Sequence, residues 1–392
     1  MPLVDMRDLL RHAHANRYAV GAFDLVDTRM LEGILVGCER AGAPAILSVA
    51  ESHFRHFDPG PVLAACVAAA RRSPLPLAIH LDHGESLESI ERGIALGCNG
   101  VMLDASHLPF AENVRRTRAA VELAHACGVP VEGELGYVAG AEGEDAELHP
   151  GEIVYTSPDE AEAFVARTQV DFLAVSIGTV HGRLRGTPRL DLERLAAIDR
   201  RLGIPLVIHG GTGLAAEQYR ALAERGVAKI NYFTALADAA ARTVHAAARE
   251  DPQAGLLRLL RDVREAVAAE TERACRMFGA AGRAGEALAA CRPWREVEHV
   301  VLYRPREGLD GAELAAMVEE GRRQLAKVPG VRRVFHGRKV AGRDDWPLGW
   351  VIRFASAAVV EAYRDHPLHL AFADGRFRPN APERLSLDLE EW

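Results

Sequence analysis

The sequence predicts an α/β protein: a (β/α)8 TIM barrel followed by a small α+β ferredoxin-like (dimeric α/β barrel) domain. Three observations carry this. Eight short apolar runs alternate with helical segments through residue 235, at roughly 30-residue spacing. The composition then changes at Arg292-Pro293-Trp294, and the segment beyond reads βαββαβ. Finally, 392 residues exceed the roughly 250 of one barrel. The domains are therefore expected at 1–292 and 293–392.

In chain order the runs are YAVGAF (18–23), AILSVA (45–50), LAIHLD (77–82), GVMLD (100–104), VPVEGEL (129–135), FLAVSIG (172–178), PLVIHG (205–210) and AKINYF (228–233). They are short, continuous and rich in β-branched residues, as strands buried on both faces must be. Intervening stretches such as DTRMLEGILVGCERAG carry helical periodicity and close on glycine. A doubly wound open sheet is the competing architecture, but GAFDLV after the first run is not a Gly-rich dinucleotide loop. Residues 236–292 read as the last barrel helix plus helices packed outside it. Beyond them come strands at EVEHVVLYRP, VRRVFHGRKV, LGWVIRFA and ERLSLDLEEW, with helices at GAELAAMVEEGRRQLAKV and AAVVEAYRDHPLHLAFA.

Composition narrows the function classes. A net charge of −8 and the lack of a basic run argue against nucleic acid. Asp5, Arg7 and Asp8 interrupt any signal-peptide core, and no run is long enough to span a membrane. The six cysteines are scattered, with none in a CxxC pair, which fits reduced thiols in a cytoplasmic protein.

Chemistry in such a barrel collects at the C-terminal ends of its strands. Those ends carry Asp82-His83, Asp104, Glu132 and Glu134, His181, His209 and Asn231. One histidine alone would read as a capped or solvated residue. Three, each just past a different strand, match the three-ligand pattern of catalytic zinc. The loop His209-Gly210-Gly211-Thr212-Gly213 and the segment Lys229-Ile230-Asn231 through Thr234 lie where barrels of this kind bind phosphate.

The segments HLDHG (80–84), VMLDASHLPFAEN (101–113), VEGELG (131–136), IGTVHG (177–182), IPLVIHGGTG (204–213) and KIN (229–231) resemble the class II, metal-dependent fructose/tagatose-bisphosphate aldolases over residues 1 to 285. The resemblance implies a zinc-dependent lyase. It would reversibly cleave a phosphorylated ketose to dihydroxyacetone phosphate and an aldehyde through a metal-stabilised enediolate. It implies His83, His181 and His209 as ligands of Zn2+ (Co2+ or Mn2+ can occupy such sites), with Glu134 near the metal and Glu132 and Asp104 in support. Asp82 matches the acid/base at the cleaved bond. Glu142 in the acidic loop AGAEGEDAE matches the base for the carbon-bound proton, with Glu144 as the alternative. Gly182, Gly210, Gly211, Thr212, Asn231 and Thr234 match positions around the substrate phosphate and an associated monovalent cation (Na+ or K+).

Three positions depart from the family pattern: Asp24 where the first strand ordinarily ends in asparagine, Ala50 before Glu51-Ser52-His53, and Ala235 after Thr234. The first two lie in the sugar-binding region, so Asp24 is a substrate-contact candidate and a different aldehyde partner is expected. The alternatives are the same metal chemistry on a non-bisphosphorylated or sulfonated sugar, a non-catalytic scaffold barrel, or a second enzyme in the C-terminal domain.

EHVVLYRPREG (298–308), VPGVRRVFHGRKV (328–340) and EAYRDHPLHLAFAD (361–374) resemble the stress-responsive α/β barrel (Dabb) family, whose members dimerise through their sheets. That implies an association module and a homodimer or homotetramer. His299, His366 and His369 are candidates to line a small cavity.

Overall fold

The structure is a computed structural model that describes residues 3–136, 138, 154–180, 182, 189–342 and 346–390. The chain divides into two compact units, one of Met1–Ile90, Cys98–Val121 and Pro130–Pro293, the other of Glu91–Gly97, Glu122–Val129 and Trp294–Trp392.

Eight parallel strands close the first unit into a barrel in sequence order: β1 (Val20–Asp24), β2 (Ala45–Ala50), β3 (Leu77–Gly84), β4 (Gly100–Leu103), β5 (Val131–Leu135), β6 (Phe172–Val175), β7 (Leu206–Ile208) and β8 (Val227–Tyr232). β8 returns to β1 through Val20↔Lys229 and Ala22↔Asn231. Closure leaves no open edge, and nearly every strand residue is buried, which explains the unbroken apolar runs. The observed strands differ from the runs by a few residues at their ends: β6 and β7 stop before the end of theirs, whereas β3 continues to Gly84.

Local signals account for the helix ends. The Asp27 carboxylate accepts from Met30 N–H at 2.8 Å to start helix Thr28–Ala41, and Asp191 accepts from Arg194 N–H at 3.0 Å to start Leu192–Leu202. Both helices stop at a left-handed glycine, Gly42 and Gly203. Past the last barrel helix, Thr234–Glu250, helix Val263–Met277 packs along Thr28–Ala41. Gly37 permits that approach, since a Cβ there would lie 2.5 Å from the Ala268 carbonyl oxygen. Tyr219, Tyr232 and Phe278 seal this side by edge-to-face packing at 4.9 and 5.5 Å.

In the second unit, β9 (Val297–Arg304), β10 (Val331–Arg338), β11 (Leu348–Phe354) and β12 (Glu383–Glu390) form an antiparallel sheet in the order β10-β11-β9-β12. This is the ferredoxin-like arrangement. One detail differs from expectation. The predicted second helix is two, Ala358–Asp365 and Pro367–Phe372, because Pro367 forces His366 into an extended backbone (ψ 133°). No helix among the described residues is long and apolar enough to cross a membrane.

Candidate active site

Strand alternation assembles most of the site. Residues two apart on a strand face the same way, so His80 and Asp82, Glu132 and Glu134, and Lys229 and Asn231 each enter the barrel interior as a pair. All six are buried to 1% exposure or less. The same rule would send His83 away from Asp82. It does not, because His83 takes a left-handed backbone (φ 46°) and the β3–β4 register shifts between Leu81 and Gly84. A non-glycine residue in that region is strained, and here the strain turns His83 into the mouth beside Asp82.

The two described histidines are held from behind. His83 Nδ1 lies 2.8 Å from Asp104 Oδ2, and Asp104 in turn accepts from Ser106 N–H and Oγ–H at 3.0 and 2.7 Å. His209, directly after β7, places Nε2 2.8 Å from Glu132 Oε1. Carboxylates only accept, so these ring nitrogens carry the protons. That leaves His83 Nε2 and His209 Nδ1 facing each other at 3.0 Å, with Glu134 Oε2 3.3 Å from His209 Nδ1 and Asp82 Oδ2 3.7 Å from His83 Nε2. Two lone pairs repel unless a proton or a cation lies between them. Tetrahedral zinc would set two ligand nitrogens about 3.3 Å apart, close to this spacing, and carboxylate-anchored histidines are typical of metal ligands.

Charge points the same way. Lys229 faces Glu132 and Asp82, while Asp104 and Glu134 add two further carboxyls beside the histidines. Burial raises the Glu134 carboxyl well above the usual range, and the charge of Asp104 adds to it. Burial also opposes charge on His83, yet Asp82 and Asp104 outweigh it and raise that imidazole well above its ordinary value. The site is short of positive charge, which a divalent cation would supply. Among the described residues, two donor groups fit one: Asp82, His83 and His209, and His83, Asp104 and Glu134.

Lys229 organises the lower layer. Its Nζ lies 2.8 Å from Glu132 Oε2 and 3.9 Å from Asp82 Oδ1, and donates to Asn231 Oδ1 at 2.7 Å. Asn231 Nδ2 donates to both Asp82 oxygens at 3.0 and 2.9 Å. Burial alone would raise the Asp82 and Glu132 carboxyls. For Asp82 the charges of His83 and Lys229 hold it far below the usual range; for Glu132, Lys229 and His209 bring it to about 2. Sequence reasoning quoted Lys229 only as part of a motif. Its signal was a lysine at an inward position of an apolar strand. His80, pushed down to about 3 by burial and by Lys229, was likewise passed over.

Of the phosphate candidates, Gly210 (φ 65°) and Gly211 follow His209, and Thr212 is partly exposed beside them. A Cβ on Gly211 would meet Ile230 Cγ2 at 2.5 Å, so the loop's close approach to β8 requires glycine. Gly182 has φ 84°, and Thr234 is buried at the start of its helix. Asp24 is fully buried at the end of β1, opposite Ser48. His181, Glu142 and Glu144 lie outside the described residues. A cavity of about 500 Å3 opens beside Ser106, lined by Phe110, Leu135, Tyr155 and Glu160 among others. None of Asp82, His83 and His209 lines it, so it adjoins the charged cluster without containing it.

Comparison with known proteins agrees with this geometry. The family model for class-II fructose-bisphosphate aldolase matches residues 4–283. The chain belongs to the class II fructose-bisphosphate aldolase family. It is therefore an aldolase, a carbon–carbon lyase, and members of this family are typically metal-dependent. The stress responsive A/B barrel domain matches residues 297–391 of the same aldolase. Among solved structures, the YdjI aldolase from Escherichia coli K12 is 33% identical, covering 72% of this chain and 99% of that one at a TM-score of 0.63. A Coccidioides immitis protein assigned as a fructose-1,6-biphosphate aldolase is 30% identical, covering 73% and 100% at 0.66. The fructose-bisphosphate aldolase from Campylobacter jejuni, 20% identical over 70% and 94% at 0.57, shares the fold.

Proposed function

We propose that this aldolase reversibly cleaves a phosphorylated ketose to dihydroxyacetone phosphate and an aldehyde, with zinc as its metal. The observation that carries the reading is the convergence of His83 Nε2, His209 Nδ1 and Glu134 Oε2, with Asp82 alongside. His181 is proposed as the third histidine ligand. When bound there, the ion supplies Lewis-acid stabilisation of the negative charge that retro-aldol cleavage leaves on the substrate.

The chain's own residues do the rest. Asp82, ionised and oriented by Asn231, takes the proton from the substrate hydroxyl as the bond breaks and returns it in condensation. Glu142, or Glu144 beside it, exchanges the carbon-bound proton. Gly182, Gly210, Gly211, Thr212, Asn231 and Thr234 hold the phosphate with a monovalent cation, Na+ or K+.

Buried Asp24 supports a narrower reading, in which the aldehyde differs from that of the glycolytic reaction. A carboxylate at that end of the site disfavours a second phosphate. The test is a coupled assay for dihydroxyacetone phosphate over a panel of ketose phosphates, with and without chelator. Chelator-sensitive release from one member supports the reading and names the substrate. Release from none, despite bound metal, rejects it.

The second unit is proposed to assemble the enzyme as a homodimer or homotetramer. Its helix-free sheet face presents Phe335, Leu385 and Leu389, which are 43, 46 and 53% exposed. An apolar face of this kind is expected to be covered by a second copy. Leu385→Asp should lower the mass measured by sedimentation while cleavage persists.

A further inference from the structure

We infer that the C-terminal unit holds a binding site of its own, on the opposite side of its sheet, for a small hydroxycarboxylate of three or four carbons. A cavity of about 80 Å3 lies between the helix-covered face of the sheet and the two short helices after β11. Water takes about 30 Å3 per molecule, so the space suits a few-carbon ligand. Val301, Leu325, Ile352 and Phe372 give it apolar walls.

Its polar groups define the ligand. Trp350 lines the cavity and is 2% exposed, yet its indole N–H has no acceptor among the described residues. A buried donor of this kind calls for an acceptor. Two histidines line the same space with one ring nitrogen committed each. His299 Nδ1 lies 2.7 Å from Asp388 Oδ1, and His369 Nδ1 lies 3.0 Å from the Arg364 carbonyl oxygen. Both partners accept, so each Nδ1 carries a proton, and in a neutral ring Nε2 keeps a lone pair. Burial holds His369 toward its neutral form. His366, the third histidine expected here, is not among the lining residues. Its Nδ1 instead accepts from Leu368 N–H and caps the following helix.

Charge sets the class. Arg378 and Arg384 line the cavity, and among the described residues no Asp or Glu does. Arg378 is paired with Asp374, whereas Arg384 has no carboxylate partner among the described residues and donates only to the Ala381 carbonyl. A guanidinium and a buried indole donor among the lining residues match a carboxylate, and an imidazole lone pair matches a hydroxyl. Both hydrogen-bonding halves are needed, which separates this ligand from a plain fatty acid or an amide.

The test is ligand-observed NMR titration of the full chain with lactate, its amide and propionate. Lactate should bind, and lactamide and propionate should each bind about tenfold more weakly, as loss of one such hydrogen bond or charge implies. Trp350→Phe and Arg384→Gln should each weaken lactate about tenfold. Arg384 is exposed, so its variant remains informative if Trp350→Phe misfolds. His209→Ala, in the barrel, should leave lactate binding unchanged. No binding at tens of millimolar overturns the proposal. So does lactamide binding as tightly as lactate, or affinity that follows His209→Ala and ignores both cavity variants.

Discussion

His83 Nε2 and His209 Nδ1 face each other at 3.0 Å, each ring held from behind by a carboxylate, Asp104 and Glu132. The pair is proposed to share a cation, and its strained member is turned into place by a left-handed backbone.

Replacing either histidine should empty the site. His83→Ala or His209→Ala is expected to lose bound metal after dialysis and to lower kcat/KM at least ~1,000-fold, since the metal supplies several kcal/mol at the transition state. Atomic absorption and the coupled assay check this together. Full metal occupancy in both variants would contradict the assignment.

Asp82→Asn separates proton transfer from metal binding. The side chain keeps its shape but no longer accepts a proton, so kcat should fall about 100- to 10,000-fold while metal content and KM change little. A kcat within a few-fold of the parent would remove Asp82 from the acid/base role.

Lys229→Met tests the buried hub. Removing the ammonium takes from Glu132 its main counter-charge and from Asp82 one of two, in the barrel interior. Breaking a buried pair in this way costs about 3–5 kcal/mol. Urea denaturation should show a loss of that size in the barrel transition. A change below about 1 kcal/mol would mean that water or another cation already serves those carboxylates.

In the C-terminal unit, burial and the nearby charge of Arg322 lower His336 to about 4, and its Nε2 meets the Tyr303 hydroxyl at 2.7 Å. The unfolded imidazole titrates near 6.5, so between those values the unfolded chain binds the extra proton. Stability is therefore full above about pH 6.5 and falls as pH drops toward 4. Thermal midpoints at neutral and mildly acidic pH should fall further for the parent than for His336→Gln. Equal falls would show that other groups govern the loss.

Much of this protein could be read from sequence because its local and global signals agree. The eight runs are strands, the glycines after the helices are left-handed caps, and the second unit has the ferredoxin-like order. Asp82, Glu132, Glu134 and Asn231 could be assigned to one mouth because a barrel brings its strand ends together. What sequence could not supply was orientation within each strand. Period-two alternation predicts opposite faces for Asp82 and His83, and only the register shift between β3 and β4 brings both into the site. Lys229 showed its role only once β8 closed on β1 and brought it against Glu132 from β5, 97 positions away in sequence. Composition and spacing set which side chains the strands carry. Closure of the barrel set which of them meet, because charge pairing in a buried interior depends on distances of a few ångströms that no single strand specifies.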